Sequence, residues 1–284
     1  MPNLFRLMAH LPLRLLYFVG DALYLFTYDV LRWRRQLTLD NLRNAFPDMT
    51  EAGRARIARD SYRHLGQFFA EGIRGGAISK QEIGRRVRII NPKVITQYTD
   101  RGQSVLLLTS HQCNWEWLLL AAGAQLGIPV DALYKPQRFK PMDRFLRGMR
   151  SRFGGNPIPR DQFLVEVLKR KGSARAFAMV ADHTPHRSDE KYWTHFLNQD
   201  TAFFVGADKI ARLTRSPVIF VGMRRLSRGL YEAVPELLGA PPYTGDMTDV
   251  IERYARAAER QIIAAPGDWL WLHRKWKYPK PAYA

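Results

Sequence analysis

Cysteine is nearly absent. The single Cys113 in 284 residues excludes an intrachain disulfide and fits a reducing, cytosolic environment. Internal repeats, low-complexity tracts, a Gly-rich phosphate loop and a Cys/His metal cluster are missing as well, which removes solenoids and P-loop nucleotide enzymes from consideration. The 7 histidines are scattered, and His183 with His186 forms the one close pair, without a third ligand nearby. No metal or organic cofactor is expected. Acidic side chains are scarce: Asp+Glu 26 against Lys+Arg 44 leaves a net charge of +18. Such a charge is kept dispersed over the surface or held near a polyanion: nucleic acid, anionic membrane or an acidic carrier protein. Nucleic acid is disfavoured, because no recognition motif is present and the cations follow helix faces instead of one stripe with stacking aromatics.

What the chain does contain is an even mixture of strand-like and helix-like segments with no linker between them. This predicts one α/β domain around one large core. Leu4 to Leu31 is the most apolar region, and Leu15 to Leu31 has about the length of a short membrane span, although Asp21 and Asp29 would be costly in lipid. No small-residue cleavage site follows it; Arg32, Trp33, Arg34 and Arg35 do. It reads as an uncleaved anchor with its C-terminal side at the cytoplasm, or else as an ordinary buried amphipathic helix. The chain thus divides into 1–35, a membrane anchor or membrane-associated helix, and 36–284, the α/β domain.

Helices are expected from Thr38 to about Gly76, with Thr50 as an N-cap and Arg54, Arg56, Arg59 and Arg63 on solvated faces. Strands are expected at Val87 to Ile90, Pro129 to Tyr134, Ala174 to Ala181, Pro217 to Met223 and Leu230 to Val234. Further helices are expected from Pro92, from Pro141, and over Asp161 to Lys171, Thr201 to Thr214 and Thr248 to Ala264. Trp269 and Trp271 read as core, and the rest of WLWLHRKWK as an amphipathic rim.

The informative stretch is SVLLLTSHQCNWEW, Ser104 to Trp117. An apolar strand, Val105 to Leu108, breaks at His111, Gln112, Cys113 and Asn114, and a helix starts at Trp115 behind an Asn114 N-cap. Polar side chains after the C-terminal end of a buried strand sit where open α/β sheets bind ligands. On one helix His111 and Glu116 would point about 140° apart. With His111 in the loop, it can turn back over the first helical turn, where Glu116 is held ionised by the helix dipole. A carboxylate there can hold one imidazole nitrogen and leave the other to take a proton from an attacking hydroxyl. The alternative is that His111 and Asn114 only satisfy backbone groups in a tight turn. Asp182 and His183 follow a second strand end, which parallel pairing would bring beside His111; a turn capped by Asp182 before Pro185 is equally compatible.

His111 and Glu116, as H-x-x-x-x-E within HQCNWEW, resemble the active-site box of the lipid A biosynthesis acyltransferases, the late lauroyl and myristoyl transferases of Gram-negative bacteria. NLRNAFPDMT (Asn41 to Thr50), ADHTPHRS (Ala181 to Ser188) and WLWLHRKWK (Trp269 to Lys277) resemble stretches found in the same order in that family. Many members carry Gly at the position of Cys113 and Gln at that of His183. The resemblance implies a glycerolipid-acyltransferase-like fold with a mixed, largely parallel sheet, at the cytoplasmic face of the inner membrane. It implies transfer of a fatty acyl group from acyl carrier protein to a hydroxyl of a lipid A precursor, without a covalent enzyme intermediate. Catalytic roles would fall to His111, Glu116 and Asp182, and to Arg150 or Arg152 as the donor to the thioester oxygen, with Asn114, Trp115, His183 and Arg147 as substrate contacts. Oligomeric state and acyl chain length are not legible. Two competitors remain. A glycerophospholipid or other lysolipid acyltransferase shares the box but usually ends it in Asp and carries a Phe-Pro-Glu-Gly block, which is not found here. A non-catalytic basic membrane-binding protein would make no use of the box.

Overall fold

A computed structural model of the chain describes residues 4–170, 172–244 and 248–281. The chain opens with helices α1 (Leu4–Met8), α2 (Leu13–Leu25), α3 (Arg35–Ala45), α4 (Glu51–Gly75) and α5 (Lys80–Arg86). Strands and helices then alternate: β1 (Val87–Ile89), α6 (Lys93–Thr99), β2 (Val105–Thr109), α7 (Trp115–Gln125), β3 (Val130–Tyr134), α8 (Lys140–Arg150), β4 (Gly155–Pro159), α9 (Arg160–Arg170) and β5 (Ala176–Val180). The remainder comprises β6 (Lys191–Phe196), β7 (Gln199–Phe204), α10 (Gly206–Thr214), β8 (Val218–Ser227), β9 (Leu230–Gly239) and α11 (Asp249–Ala264).

The main sheet has the order β1-β9-β8-β2-β5-β3-β4. It is parallel throughout except for the β8–β9 hairpin. β2 reads as an unbroken apolar run because helices cover both faces of the sheet. Leu106 and Leu108 enter one core, while Val105 and Leu107 enter the other. The pairing that matters for the site is β2 with β5, in which Thr109 lies opposite Val180. That register puts His111 and Asp182, each two residues past its strand end, at the same edge.

Among the described residues no helix is long and apolar enough to cross a membrane. The expected single-pass anchor at Leu15 to Leu31 is therefore corrected: α2 has 13 residues and continues as a short π-helical turn, Phe26–Val30. Leu16, Gly20, Tyr24 and Tyr28 form its buried stripe. Gly20 meets Gly66 of α4 so closely that a β-carbon on either would run into the other's carbonyl. One of the two acids that looked misplaced in an apolar helix has a partner, since Asp21 accepts from Arg228 at 2.6 Å and ties α2 to the β8–β9 turn.

Two other expectations change. Thr201 to Thr214 is not one helix: its first residues belong to β7, which pairs with β6 as a separate hairpin before α10 begins. The turn is made by Leu197 and Asn198, both left-handed (φ 50° and 59°), the conformation two-residue hairpins require. Arg54 is not on a solvated face. It is buried and donates to the carbonyls of Phe46 and Pro47, closing the end of α3. Lys171, the expected end of α9, lies outside the described residues.

Candidate active site

Two of the stretches singled out in the sequence meet at the site, the C-terminal stretch closes over them, and the remaining one fastens that closure. Asn114 caps α7 by accepting from the Trp117 amide at 2.9 Å, and its own amide donates to Glu71 at 2.6 Å. Glu71, on α4, also accepts from the hydroxyls of Tyr17 and Tyr231 at 2.7 and 2.8 Å. Burial pushes its carboxyl above the usual range, and the three donors oppose that. Sequence reasoning missed Glu71, which lies in an otherwise ordinary helical pattern. Asn114, expected as a substrate contact, is fully buried in this capping role.

His111 is held by Asp182. The carboxylate accepts from His111 Nδ1 at 2.6 Å and from the His111 backbone amide at 2.9 Å. It also accepts from Trp269 Nε1 at 2.8 Å. Burial alone would raise the Asp182 pKa, but His111, these hydrogen bonds and His183 outweigh it and hold the carboxyl well below the ordinary range. An ionised carboxylate only accepts, so His111 Nδ1 carries a proton, and in the neutral ring Nε2 is the nitrogen with the lone pair. The base-and-carboxylate geometry expected of His111 and Glu116 is thus found between His111 and Asp182.

Glu116 faces elsewhere. It accepts from Arg150 Nε at 2.8 Å and Nη2 at 2.5 Å, a two-point contact between side chains only 7 % and 14 % exposed. The structure therefore joins two expected site residues to each other instead of joining Glu116 to His111. The reason is local: α7 begins at Trp115, Glu116 lies on its first turn, and the end of α8 brings Arg150 against that turn. Arg152 donates to the carbonyls of Gly76 and Ile78 beyond the end of α4. Arg147 is exposed on α8.

Trp115 stands edge-on to His111 at 4.8 Å and packs against Phe68 at 4.1 Å. His183 Nε2 lies 2.7 Å from His111 Nε2, and His183 Nδ1 lies 3.0 Å from Nε2 of His273. Loss of water around the clustered rings, more than the neighbouring charges, lowers the pKa of His183 to about 3 and that of His273 to about 4. Cys113 is left-handed (φ 55°), a conformation that glycine adopts most readily. Its buried thiol turns to the Met223 carbonyl, 3.6 Å away, and burial raises its pKa well above normal.

The C-terminal stretch closes the site from outside. Gln112 bridges to Trp269, the Cys113 amide donates to the Asp268 carbonyl at 2.9 Å, and the Leu270 amide to the His111 carbonyl at 3.2 Å. Thr184 donates to the carbonyls of Arg274 and Lys275. Asn41, first residue of NLRNAFPDMT, donates to the carbonyls of Trp271 and His273 at 2.9 and 3.1 Å. Trp269 and Trp271 are buried as expected, but Trp269 also orients Asp182, and Lys275 is buried (2 % exposed) instead of lying on a rim.

Two small clefts meet at His111. One, of about 210 Å³, is lined by Ser61, His64, Leu65, Phe68, Cys113, Trp115, Asp268, Trp269 and Leu270. The other, of about 180 Å³, is lined by Asp182, His183, Trp269, Leu270 and His273. Among the described residues no group of three or more His, Cys, Asp or Glu side chains is disposed to hold a metal ion. Chemically the arrangement offers an oriented imidazole at the junction of a mostly apolar cleft and one of mixed lining.

Comparison with known proteins finds similarity over nearly the whole chain. The family model described as bacterial lipid A biosynthesis acyltransferase matches residues 3–278. A lipid A biosynthesis acyltransferase of Haemophilus influenzae is 26 % identical over 94 % of this chain and 83 % of its own length. The lipid A biosynthesis lauroyltransferase and palmitoleoyltransferase of Escherichia coli are 24 % and 23 % identical, each over 95 % of this chain and 88 % of its own length.

Proposed function

The chain belongs to the bacterial lipid A biosynthesis acyltransferase family, a family of transferases that acylate lipid A, and from that premise we propose the donor, the residues and the setting of its reaction. The donor is a fatty acyl thioester of acyl carrier protein, an acidic partner suited to a chain of net charge +18. The acceptor is a hydroxyl of a lipid A precursor. Its proton passes to Nε2 of His111, the freed oxygen bonds to the thioester carbon, and the C–S bond breaks with release of the carrier thiolate, which then takes the proton from His111. Asp182 fixes the tautomer and stabilises the imidazolium. A base so placed contributes about 10² to 10⁴ in rate. Arg150, aligned by Glu116, meets the charge that grows on the thioester oxygen. No enzyme nucleophile intervenes.

The acyl end lies in the cleft between Phe68, Trp115 and Leu270. The cleft is small, and the tail continues past Phe68 to Phe69, its exposed neighbour on α4. Residues 1–35 supply the contact with the cytoplasmic face of the inner membrane, and 36–284 the chemistry. Leu15, Phe18, Val19, Leu23, Phe26 and Val30 lie exposed on the side of α2 and its π turn opposite the buried stripe. An apolar row of that extent on a surface helix marks contact with lipid or protein. The observation that carries the reading is the His111–Asp182 pair at 2.6 Å. Mass spectrometry of lipid A from cells with and without the chain tests it, with the gain of one acyl group expected. Identical lipid A in both strains would refute the assignment.

A further inference from the structure

Helix α8 turns two unlike sides to its surroundings. Phe145 and Met149 are buried on the inner one, where Phe145 packs on Phe5 of α1 at 5.7 Å. A β-carbon on Gly75 or Gly76, at the end of α4, would run into Met149 or Phe145, so the helix is held close and has one seat. On the outer side Lys140, Arg144 and Arg147 recur at helical spacing, which puts them on one face, and all three are exposed. Exposed Lys135 and Arg138 precede the helix, and Nη2 of exposed Arg6 lies 3.9 Å from where a β-carbon on Gly148 would stand. Among the described residues no carboxylate pairs with any of these cations. Exposed arginines of α3, α4 and α11 do have such partners: Arg43 with Asp40, Arg63 with Asp60, Arg260 with Glu236. The one acid of α8, Asp143, is buried and accepts from the Gln137 amide at 2.7 Å. Like charges at these spacings repel and destabilise a helix, and an anionic partner outside the chain removes that cost.

A bilayer and a protein make different demands on such a face. A bilayer surface takes basic residues together with apolar side chains that enter it, and α2 exposes these, Phe18 and Val19 among them. The exposed side of α8 carries no large apolar residue; exposed Phe139 lies before the helix, edge-on to Phe5. A face of charge alone suits the polar surface of an acidic protein. Its place suits one as well. Arg147 lies one turn from Arg150, which Glu116 holds against the first turn of α7, and α7 is the helix that the His111 loop enters. Resting on the reading of acyl carrier protein as the donor, we propose that the outer face of α8, Lys140, Arg144 and Arg147 with Lys135, Arg138 and Arg6 at its margins, is where the acidic carrier docks to deliver its thioester. The helix that seats the carrier is then the one that bears the proposed donor to the thioester oxygen.

The test uses the full chain in detergent with a lipid A precursor as acceptor and two donors: the lauroyl thioester of acyl carrier protein, and that of pantetheine, which has no acidic surface to dock. Lys140→Glu with Arg144→Glu should raise the KM for the carrier thioester at least about tenfold and leave its kcat near wild type. Turnover of the pantetheine thioester and the KM for the precursor should not change. The wild-type KM for the carrier should rise with added salt, and the variant's much less. Lys93→Glu with Arg101→Glu, an equal change of net charge at exposed residues of α6 and the turn that follows it, should leave the carrier KM as it was. An unchanged carrier KM in the first variant overturns the surface, as does an equal rise in the second. A first variant that raises the KM for the precursor, or sediments less with vesicles of phosphatidylcholine and phosphatidylglycerol, assigns the face to lipid and overturns it too. In each of these cases the donor reading stands if wild type prefers the carrier thioester. If wild type uses it no better than the pantetheine thioester, donor and docking surface fall together.

Discussion

Arg150 and Glu116 show at the scale of single residues why sequence neighbours need not be partners. Each is mostly buried and each is the other's charge partner; burial opposes the charge on Arg150, while Glu116 raises its pKa above the ordinary value. Removing one charge leaves the other buried and unpaired, so Glu116→Ala should cost about 3–5 kcal/mol of stability. The double variant Glu116→Met with Arg150→Met should recover most of that in urea denaturation without recovering transfer. A double variant no more stable than the single would show that the pair does not act as a unit. Lys275 provides the pH test. Its ammonium donates to the Ala202 carbonyl at 3.2 Å and lies 4.0 Å from the Phe203 ring, and burial, opposed by Asp182, lowers its pKa from 10.5 to about 7. Between those values the unfolded chain binds the proton and the folded chain releases it. The contribution of Lys275 to stability therefore grows as pH rises from 7 toward 10.5 and is lost as pH falls back toward 7. Lys275→Met should be the more stable protein at neutral pH, with its advantage shrinking toward about pH 10. Parallel pH dependences in paired urea titrations would rule this out.

At the scale of elements, α2 has two apolar faces with different tasks. Its Gly20 face meets α4, while Phe18 (72 % exposed) and Val19 (49 %) look outward. Phe18→Glu with Val19→Glu should leave folding intact by circular dichroism and weaken binding to anionic vesicles at least about a hundredfold, since each inserted side chain contributes about 1.5–3 kcal/mol. Undiminished sedimentation with vesicles would move the membrane contact elsewhere. The elements also show what a sequence discloses. The buried stripe of α11 is legible from its periodicity, β2 from its short apolar run and the start of α7 from its Asn114 cap. The β6–β7 hairpin is not, because Leu197 and Asn198 take left-handed backbone without the glycine that advertises such a turn. The span expected at Leu15 to Leu31 has the composition for lipid, but its Gly20 stripe is committed to α4, which composition alone does not reveal.

At the scale of the whole molecule, the candidate site is a product of topology. Asp182 lies 71 residues from His111, and parallel pairing of β2 with β5 brings them together, so the proposed base is legible from its strand end and its carboxylate only as a neighbour of that end. Spacing within the box pointed to Glu116, because sequence shows which acids are near along the chain and not which are near in space. Trp269 and Asn41, from the far ends of the chain, fasten the C-terminal stretch over the result. The most direct measurement is the rate of acyl transfer from carrier thioester to lipid A precursor by Asp182→Asn, alongside its unfolding transition. An amide cannot hold His111 as the Nδ1–H tautomer and stabilise its imidazolium, so the rate should fall by about 10² to 10⁴ while the protein still unfolds cooperatively. Transfer near the wild-type rate would contradict the assignment of His111, oriented by Asp182, as the base.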